Sequence, residues 1–254
     1  MMAGGLESRV VLLPRDLQPG DIAGRTVVVF DVLRATTTMT AALAAGVSNI
    51  CIFDNLEAAR VAAHAYSGSR ILCGEINCLK PDGFDLGNSP SQWNAAEHAG
   101  REVFMSTTNG TRAIVAAAAL APAHMLAGAI VNAAAVARAA RELGKNVTLL
   151  CAGTNGEVSL EDTLGAGAVL TALLVNGPCQ PVGDAAQFAL RLFSQARNDL
   201  PAAMHTGGGG LNLIRARLEA DIDFCARLDA LDIVGHVSAN PLSVSTQNMS
   251  DGWN

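Results

Sequence analysis

Asp31 ends the apolar run Val28-Val29-Phe30 and is followed by Arg34, Thr36, Thr37 and Thr38. A carboxylate at the tip of a buried strand is costly unless it meets a metal, a cation or water. Asp31 is therefore a candidate magnesium ligand or phosphoryl-accepting nucleophile, with Arg34, Thr36 and Thr37 gathered around an anion at a helix start. The simpler alternative makes Asp31 a helix cap whose threonines satisfy the first helical turn.

Three further segments place polar groups at comparable junctions. Gly74-Glu75 leads into the punctuated stretch Lys80-Pro81-Asp82-Gly83-Phe84-Asp85-Leu86-Gly87-Asn88-Ser89-Pro90. Glu75 falls at a strand end where a hard-cation ligand would sit, or is a plain surface acid. Ser89-Pro90 reads as a cap followed by a first-turn proline, and the loop before it suits binding through Asn88 and Ser89. Ser106-Thr107-Thr108-Asn109-Gly110-Thr111-Arg112 offers hydroxyls, an amide, backbone donors and a guanidinium. It reads as an anion cradle or as a tight strand-to-helix turn. Arg112 in the first helical turn opposes the helix dipole, which favours the cradle.

The fourth segment runs from Cys151-Ala152-Gly153-Thr154-Asn155-Gly156 to Ser159-Leu160-Glu161-Asp162. Its end matches a capping box, so Asp162 either caps a helix or joins Asp31, Glu75 and Glu161 in a metal site of oxygen ligands. Cys151 lacks the Cys-x5-Arg spacing of a tyrosine-phosphatase loop and reads first as a buried thiol. Asp31, Cys151 and water all stay open as the nucleophile. Gly207–Gly210 lacks the Lys-Ser/Thr ending of a P-loop and reads as a flexible hinge or disordered loop.

The elements that must position these segments alternate along the chain. Strands are expected at Val10–Leu13, Thr26–Phe30, Asn49–Phe53, Arg70–Cys73, Glu102–Met105, His124–Leu126 and Asn146–Cys151. Each is short and apolar on both faces, as for strands buried between helix layers. Helices are expected at Ala35–Ala45, Leu56–Tyr66, Pro90–His98, Thr111–Leu120, Ala133–Leu143, Leu160–Val175, Ala185–Ala196 and, as a pair, from Leu211 to about Leu231. The alternation predicts an α/β fold with a mostly parallel sheet sandwiched by helices and a helix-rich C-terminal part. Residues 10–180 form the α/β part, 181–235 a helical cover or second lobe without strands, and 237–254 a polar tail. Ligands of such sheets sit beyond the C-terminal strand ends, which is where all four segments fall.

A chain of 254 residues, half of it hydrophobic but only 4% aromatic, must pack its core with Ala, Val and Leu. The net charge of −6 argues against nucleic acid, which asks for a basic stripe. Of 17 basic residues only Lys80 and Lys145 are lysines, and arginine's planar fork suits carboxylate, sulfonate and phosphate oxygens. Six cysteines without a CxxC point to a reducing cytoplasm, and residues 1–9 lack the blocks of a signal peptide. Ala113–Val131 is uncharged and long enough to span a bilayer, but Pro122-Ala123-His124 interrupts it, so helix, turn and strand are expected. An exposed Ala-rich helix face could pair two copies into a homo-oligomer.

Taken in order, four motifs resemble the 2-phosphosulfolactate phosphatase (ComB) family. They are Phe30-Asp31-Val32-Leu33-Arg34-Ala35-Thr36-Thr37, Gly83-Phe84-Asp85-Leu86-Gly87-Asn88-Ser89-Pro90, Thr107-Thr108-Asn109-Gly110-Thr111-Arg112, and Cys151-Ala152-Gly153 through Leu160-Glu161-Asp162. The likeness covers about residues 10–235 and reaches Asp221-Ile222-Asp223-Phe224-Cys225. The chain departs from the family pattern near His205, where a glycine run replaces a His-Gly followed by a basic residue. The resemblance implies an α/β enzyme that hydrolyses 2-phosphosulfolactate with Mg2+, within coenzyme M synthesis. A phosphatase for another 2-phospho-hydroxyacid and a non-catalytic anion-binding protein are the alternatives. The second would need the Arg and Thr donors but not the acids, which make sense beside an anion only with a cation between.

Overall fold

The computed structural model describes residues 5–246, and its sheet has ten strands in one ladder. Strands β1 (Leu6–Val11), β2 (Thr26–Phe30), β6 (His124–Gly128), β7 (Val147–Cys151) and β8 (Cys179–Val182) form a parallel block in the order β6-β2-β7-β1-β8. A second parallel block holds β4 (Arg70–Gly74), β5 (Glu102–Ser106) and β3 (Asn49–Ile52), in that order. Between them lies an antiparallel hairpin, β9 (Gly235–Ala239) and β10 (Leu242–Ser245), with β10 on β3 and β9 on β6.

Three antiparallel steps separate β3 from β6, so in a flat sheet the two blocks would send their C-terminal ends to opposite edges. They do not. Helix α4 (Gly110–Ala118), which follows β5, starts against Asp31, which follows β2: a β-carbon at Gly110 would lie 2.7 Å from Asp31 Oδ2. The sheet is therefore bent at the hairpin and wraps around α4 and α1 (Ala35–Ala44). The packing agrees. Val27 and Val29 of β2 share one core with Ile50, Val103, Met39 and Ile114, while Val28 and Phe30 face the opposite core with Leu164 and Val169. Lying between the two blocks, α1 is buried from Ala35 to Leu43, which its small Ala and Thr side chains permit.

The outer face of the large block carries α5 (Ala133–Glu142), α6 (Leu160–Val175) and α7 (Asp184–Ala196), joined by α8 (Leu200–Thr206), α9 (Gly208–Arg215) and α10 (Glu219–Cys225). The small block is covered by α2 (Leu56–Ala65) against Leu72 and Phe104. The expected class, a mostly parallel sheet with helices on both sides, is what the chain adopts.

Four expectations change. The helix read at Pro90–His98 is a 3-10 turn, Pro90–Gln92, and a single-turn α3, Ala95–His98, because Asn94 caps a new start at Glu97 N. Strands do not end at residue 180: β9 and β10 follow, and the supposed polar tail supplies them as far as Ser245, with residues 247–254 outside the described part. The cause is burial of the apolar members of a polar-looking hairpin, with Val244 at 0% exposure. Gly208–Gly210 is not a hinge but the first turn of α9. A β-carbon at Gly209 would collide with Glu161 Oε1 and one at Gly210 with the Met204 carbonyl, so these glycines serve close approach. No described helix is long and apolar enough to cross a membrane, and Ala113–Val131 is helix, turn and strand as expected.

Candidate active site

A cleft of about 380 Å³ opens where the ends of β2, β4, β5 and β7 meet α9. Asp31, Arg34, Glu75, Asn88, Thr108 and Asn109 line it, so each of the first three segments contributes. Thr154 and Asn155 bring in the fourth.

Asp31 forms part of the floor. Its Oδ1 accepts from Ala35 N at 3.2 Å, and burial pushes its pKa from an ordinary 3.8 up to about 7, with nearby Glu75 and Glu161 adding repulsion. Gly110 is required beside it, since a side chain there would meet both Asp31 and Ala35. Glu75 bridges two loops, with Oε2 accepting from Cys78 N and Oε1 from Thr108 N, both at 2.8 Å. Glu161 is buried under α9 with Oε2 unpartnered, and burial raises its pKa. Asp162 has both oxygens committed, to Val32 N at 2.8 Å and Gly153 N at 3.0 Å, so it ties the β2 loop to the β7 loop and stays off the cleft wall.

Among the described residues no three His, Cys, Asp or Glu side chains stand together as a metal cage. Two cleft carboxylates with a neighbouring orphaned oxygen still suit a cation that keeps several waters and takes its remaining ligands from a substrate phosphate, the habit of Mg2+. Of the four acids expected to hold a metal, Asp31 and Glu75 reach the cleft, Glu161 lies behind it, and Asp162 is a brace.

Arg34 is 3% exposed and held on three sides. Nη1 donates to Asp221 Oδ2 at 2.6 Å and to Ser89 Oγ at 3.2 Å, Nη2 donates to the Cys78 carbonyl at 2.5 Å, and Ser89 Oγ donates to Asp221 at 2.8 Å. Ser89 thus orients Arg34 and is absent from the cleft wall. The threonines serve the turns that hold the site. Thr36 donates to the Asp31 carbonyl, Thr37 to that of Val32, and Thr111 to that of Thr107, while Thr107 Oγ1 accepts from Thr111 N. Arg112 points away, exposed and outside the cleft lining. Asn88 does face the cleft, 4% exposed with a buried Oδ1 lacking a partner. Cys151 is fully buried and outside the cleft lining, and burial and Asp162 push its thiol well above the ordinary value, an environment that favours an inert thiol.

The family model described as 2-phosphosulpholactate phosphatase matches residues 11–240. This chain belongs to that family. A probable 2-phosphosulfolactate phosphatase of Thermus thermophilus is 43% identical over 204 residues, covering 80% of this chain and 83% of the relative. Another so named, from Symbiobacterium thermophilum, is 39% identical over 217 residues, 84% of this chain and 91% of the relative. A third, from Deinococcus radiodurans, is 39% identical over 227 residues, 89% of this chain and 91% of the relative. Membership makes the chain a phosphatase, a phosphoric monoester hydrolase.

Within this phosphatase, sequence reasoning missed the cleft's outer wall. Helix α9 supplies Gly209, Asn212 and Arg215, and a tight turn at Asn77-Cys78 supplies another edge. That turn, with φ of 51° and 70°, matches Asn155-Gly156 with 54° and 80°, and both close a bridge, Ile76 to Leu79 and Thr154 to Glu157. Thr108-Asn109-Gly110 repeats the Thr-Asn-Gly of residues 154–156 but not its turn, since Asn109 has φ of −115° and enters α4 directly. Asn77-Cys78 carries no glycine, so its turn had no signal.

Proposed function

We propose that the chain hydrolyses the phosphomonoester of a small acidic 2-hydroxyacid, 2-phosphosulfolactate to sulfolactate and phosphate, with Mg2+ in the cleft. The observation that carries this reading is the meeting of buried carboxylates with donor-rich helix starts at one cleft, in a chain whose relatives are named for that activity. A phosphate cannot approach Asp31 and Glu75 unaided, and the bound cation would neutralise the transferring phosphoryl charge.

The chain's own residues do the rest. Thr108, Asn109 and the α4 N-terminus offer donors to phosphoryl oxygens, and the Asn88 amide adds another. Arg34, locked by Asp221 and Ser89, lines the cleft in a fixed position and so meets the anion without a reorganisation cost. Water attacks phosphorus, Asp31 accepts its proton, the ester P–O bond breaks, and the departing alkoxide takes a proton from solvent at the open mouth.

Phosphate release from a panel of phosphorylated hydroxyacids, with magnesium and after exhaustive chelation, tests the reading. Turnover of 2-phosphosulfolactate above 2-phospholactate, lost on chelation and restored by Mg2+, is the expected result. Full activity in the chelated enzyme refutes the metal, and indifference to the sulfonate refutes the substrate. Borohydride treatment of quenched enzyme should trap no aspartyl phosphate at Asp31.

A further inference from the structure

We infer that Arg215 holds the second anionic group of the substrate, a sulfonate or carboxylate, and so selects phosphorylated acids over plain phosphomonoesters. The inference rests on the proposed function and names a residue for its substrate selectivity.

Four charged side chains line the cleft: Asp31, Glu75, Arg34 and Arg215. Arg34 lies at the floor and is already neutralised by Asp221 at 2.6 Å. Arg215 sits at the mouth, exposed, and makes no ion pair with a carboxylate among the described residues. Its Nη1 donates instead to Asn212 Oδ1 at 3.1 Å, one turn earlier on the same helix wall. It is the cleft's one cation without a counter-charge among those residues.

Its placement is fixed by packing. Gly209 presses α9 onto Glu161 beside the acid floor, and Arg215 follows six residues later, about 9 Å along the helix axis. That is close to the span of a phosphoryl group, a two-carbon spacer and a guanidinium contact. A substrate whose phosphate lies over the floor has its other anion repelled by Asp31 and Glu75 and drawn to the mouth. Arginine's fork matches the paired oxygens waiting there.

The test has two arms on the full-length enzyme with Mg2+. In the first, Arg215→Ala, Arg215→Gln and Arg215→Lys are compared for kcat and KM on 2-phosphosulfolactate and on p-nitrophenyl phosphate. In the second, calorimetry measures Kd for sulfolactate, lactate and inorganic phosphate. Arg215→Ala and Arg215→Gln should raise the phosphosulfolactate KM and the sulfolactate Kd by about 10- to 100-fold. Kinetics on p-nitrophenyl phosphate and phosphate affinity should stay within about twofold. Arg215→Lys should recover part of the loss. Equal losses on both substrates, or none, overturn the assignment. So does an Arg215→Ala variant that binds both sulfolactate and lactate as tightly as the wild-type enzyme does, whether or not it turns over phosphosulfolactate. The hydrolysis arm decides the proposed reaction and the binding arm decides Arg215.

Discussion

Asp31 is unfavourable where it stands, and that is its signature. Held by Ala35 N and crowded by Gly110, Glu75 and Glu161, it has no ion-pair partner among the described residues. Asp31→Asn keeps the shape and removes the charge, so the rate should drop by at least ~100-fold while the melting temperature holds or rises. A near-normal rate with an unchanged melt would return Asp31 to the role of a cap. Gly209 makes the complementary point about space. Gly209→Ala puts a methyl into Glu161 Oε1, and α9 must move to admit it. Loss of roughly 1–3 kcal/mol in chemical denaturation is expected, together with weaker sulfolactate binding, because Arg215 rides on the same helix. At this scale the sequence was half legible. Asp31, Glu75, Thr108 and Asn109, singled out beside strand ends, and Asn88, singled out in its loop, all line the cleft. Arg215 was not singled out, because nothing local separates an arginine on a cleft wall from one in solvent. Thr36, Thr37, Thr107 and Thr111 misled for the opposite reason: the first two and Thr111 donate to backbone carbonyls, and Thr107 accepts from a backbone N–H, partners that only the folded turn brings near.

Seven of the eight strands in the two parallel blocks were visible because their centres are apolar and buried between helix layers, whereas the edge strand β8, which has no fully buried residue and contains Pro181, was not expected. The hairpin was invisible because half its side chains are polar. His236, Val237 and Ser238 are only half-buried, and just Ser243 and Val244 are sealed in β10. Its weight is nonetheless large, since among the described strands β9 and β10 make the link between the blocks within the sheet. Val244→Ala should cost roughly 1–3 kcal/mol in denaturant unfolding, more than an average surface change. The amides of β9 and β10 should exchange as slowly as those of β2, reporting global rather than local opening. Fast exchange there would mean that the hairpin is an appendage and that the blocks hold each other by other contacts.

Over the whole molecule, the buried acids couple stability to pH and to cations. Asp31, Glu161 and Asp162 all have pKa values raised by burial, and Arg34, at the cleft floor, is spent on Asp221. A carboxyl group that binds its proton more tightly when folded favours the fold below its ordinary pKa and loses that contribution as pH rises through the folded value. For Asp31 the window runs from 3.8 to about 7. The chelated enzyme should therefore melt at lower temperature at pH 8 than at pH 5, and Mg2+ should restore most of the difference at pH 8 but little at pH 5. Asp31→Asn should flatten the curve. A melt equally insensitive to pH in both proteins would show that the acids are solvated.

The mid-sheet place of the last hairpin also governs how the chain is made. Synthesis delivers the N-terminus first, so β3 and β6 emerge early, each the inner edge of a finished parallel block. Both edges stay open until residues 235–245 have left the ribosome. Once β6 has emerged, nascent chains thus carry two unpaired strand edges until the hairpin follows, which makes them templates for association with one another and substrates for chaperones. Slowing synthesis should not help such a protein fold. Emergence of residues 235–245 should.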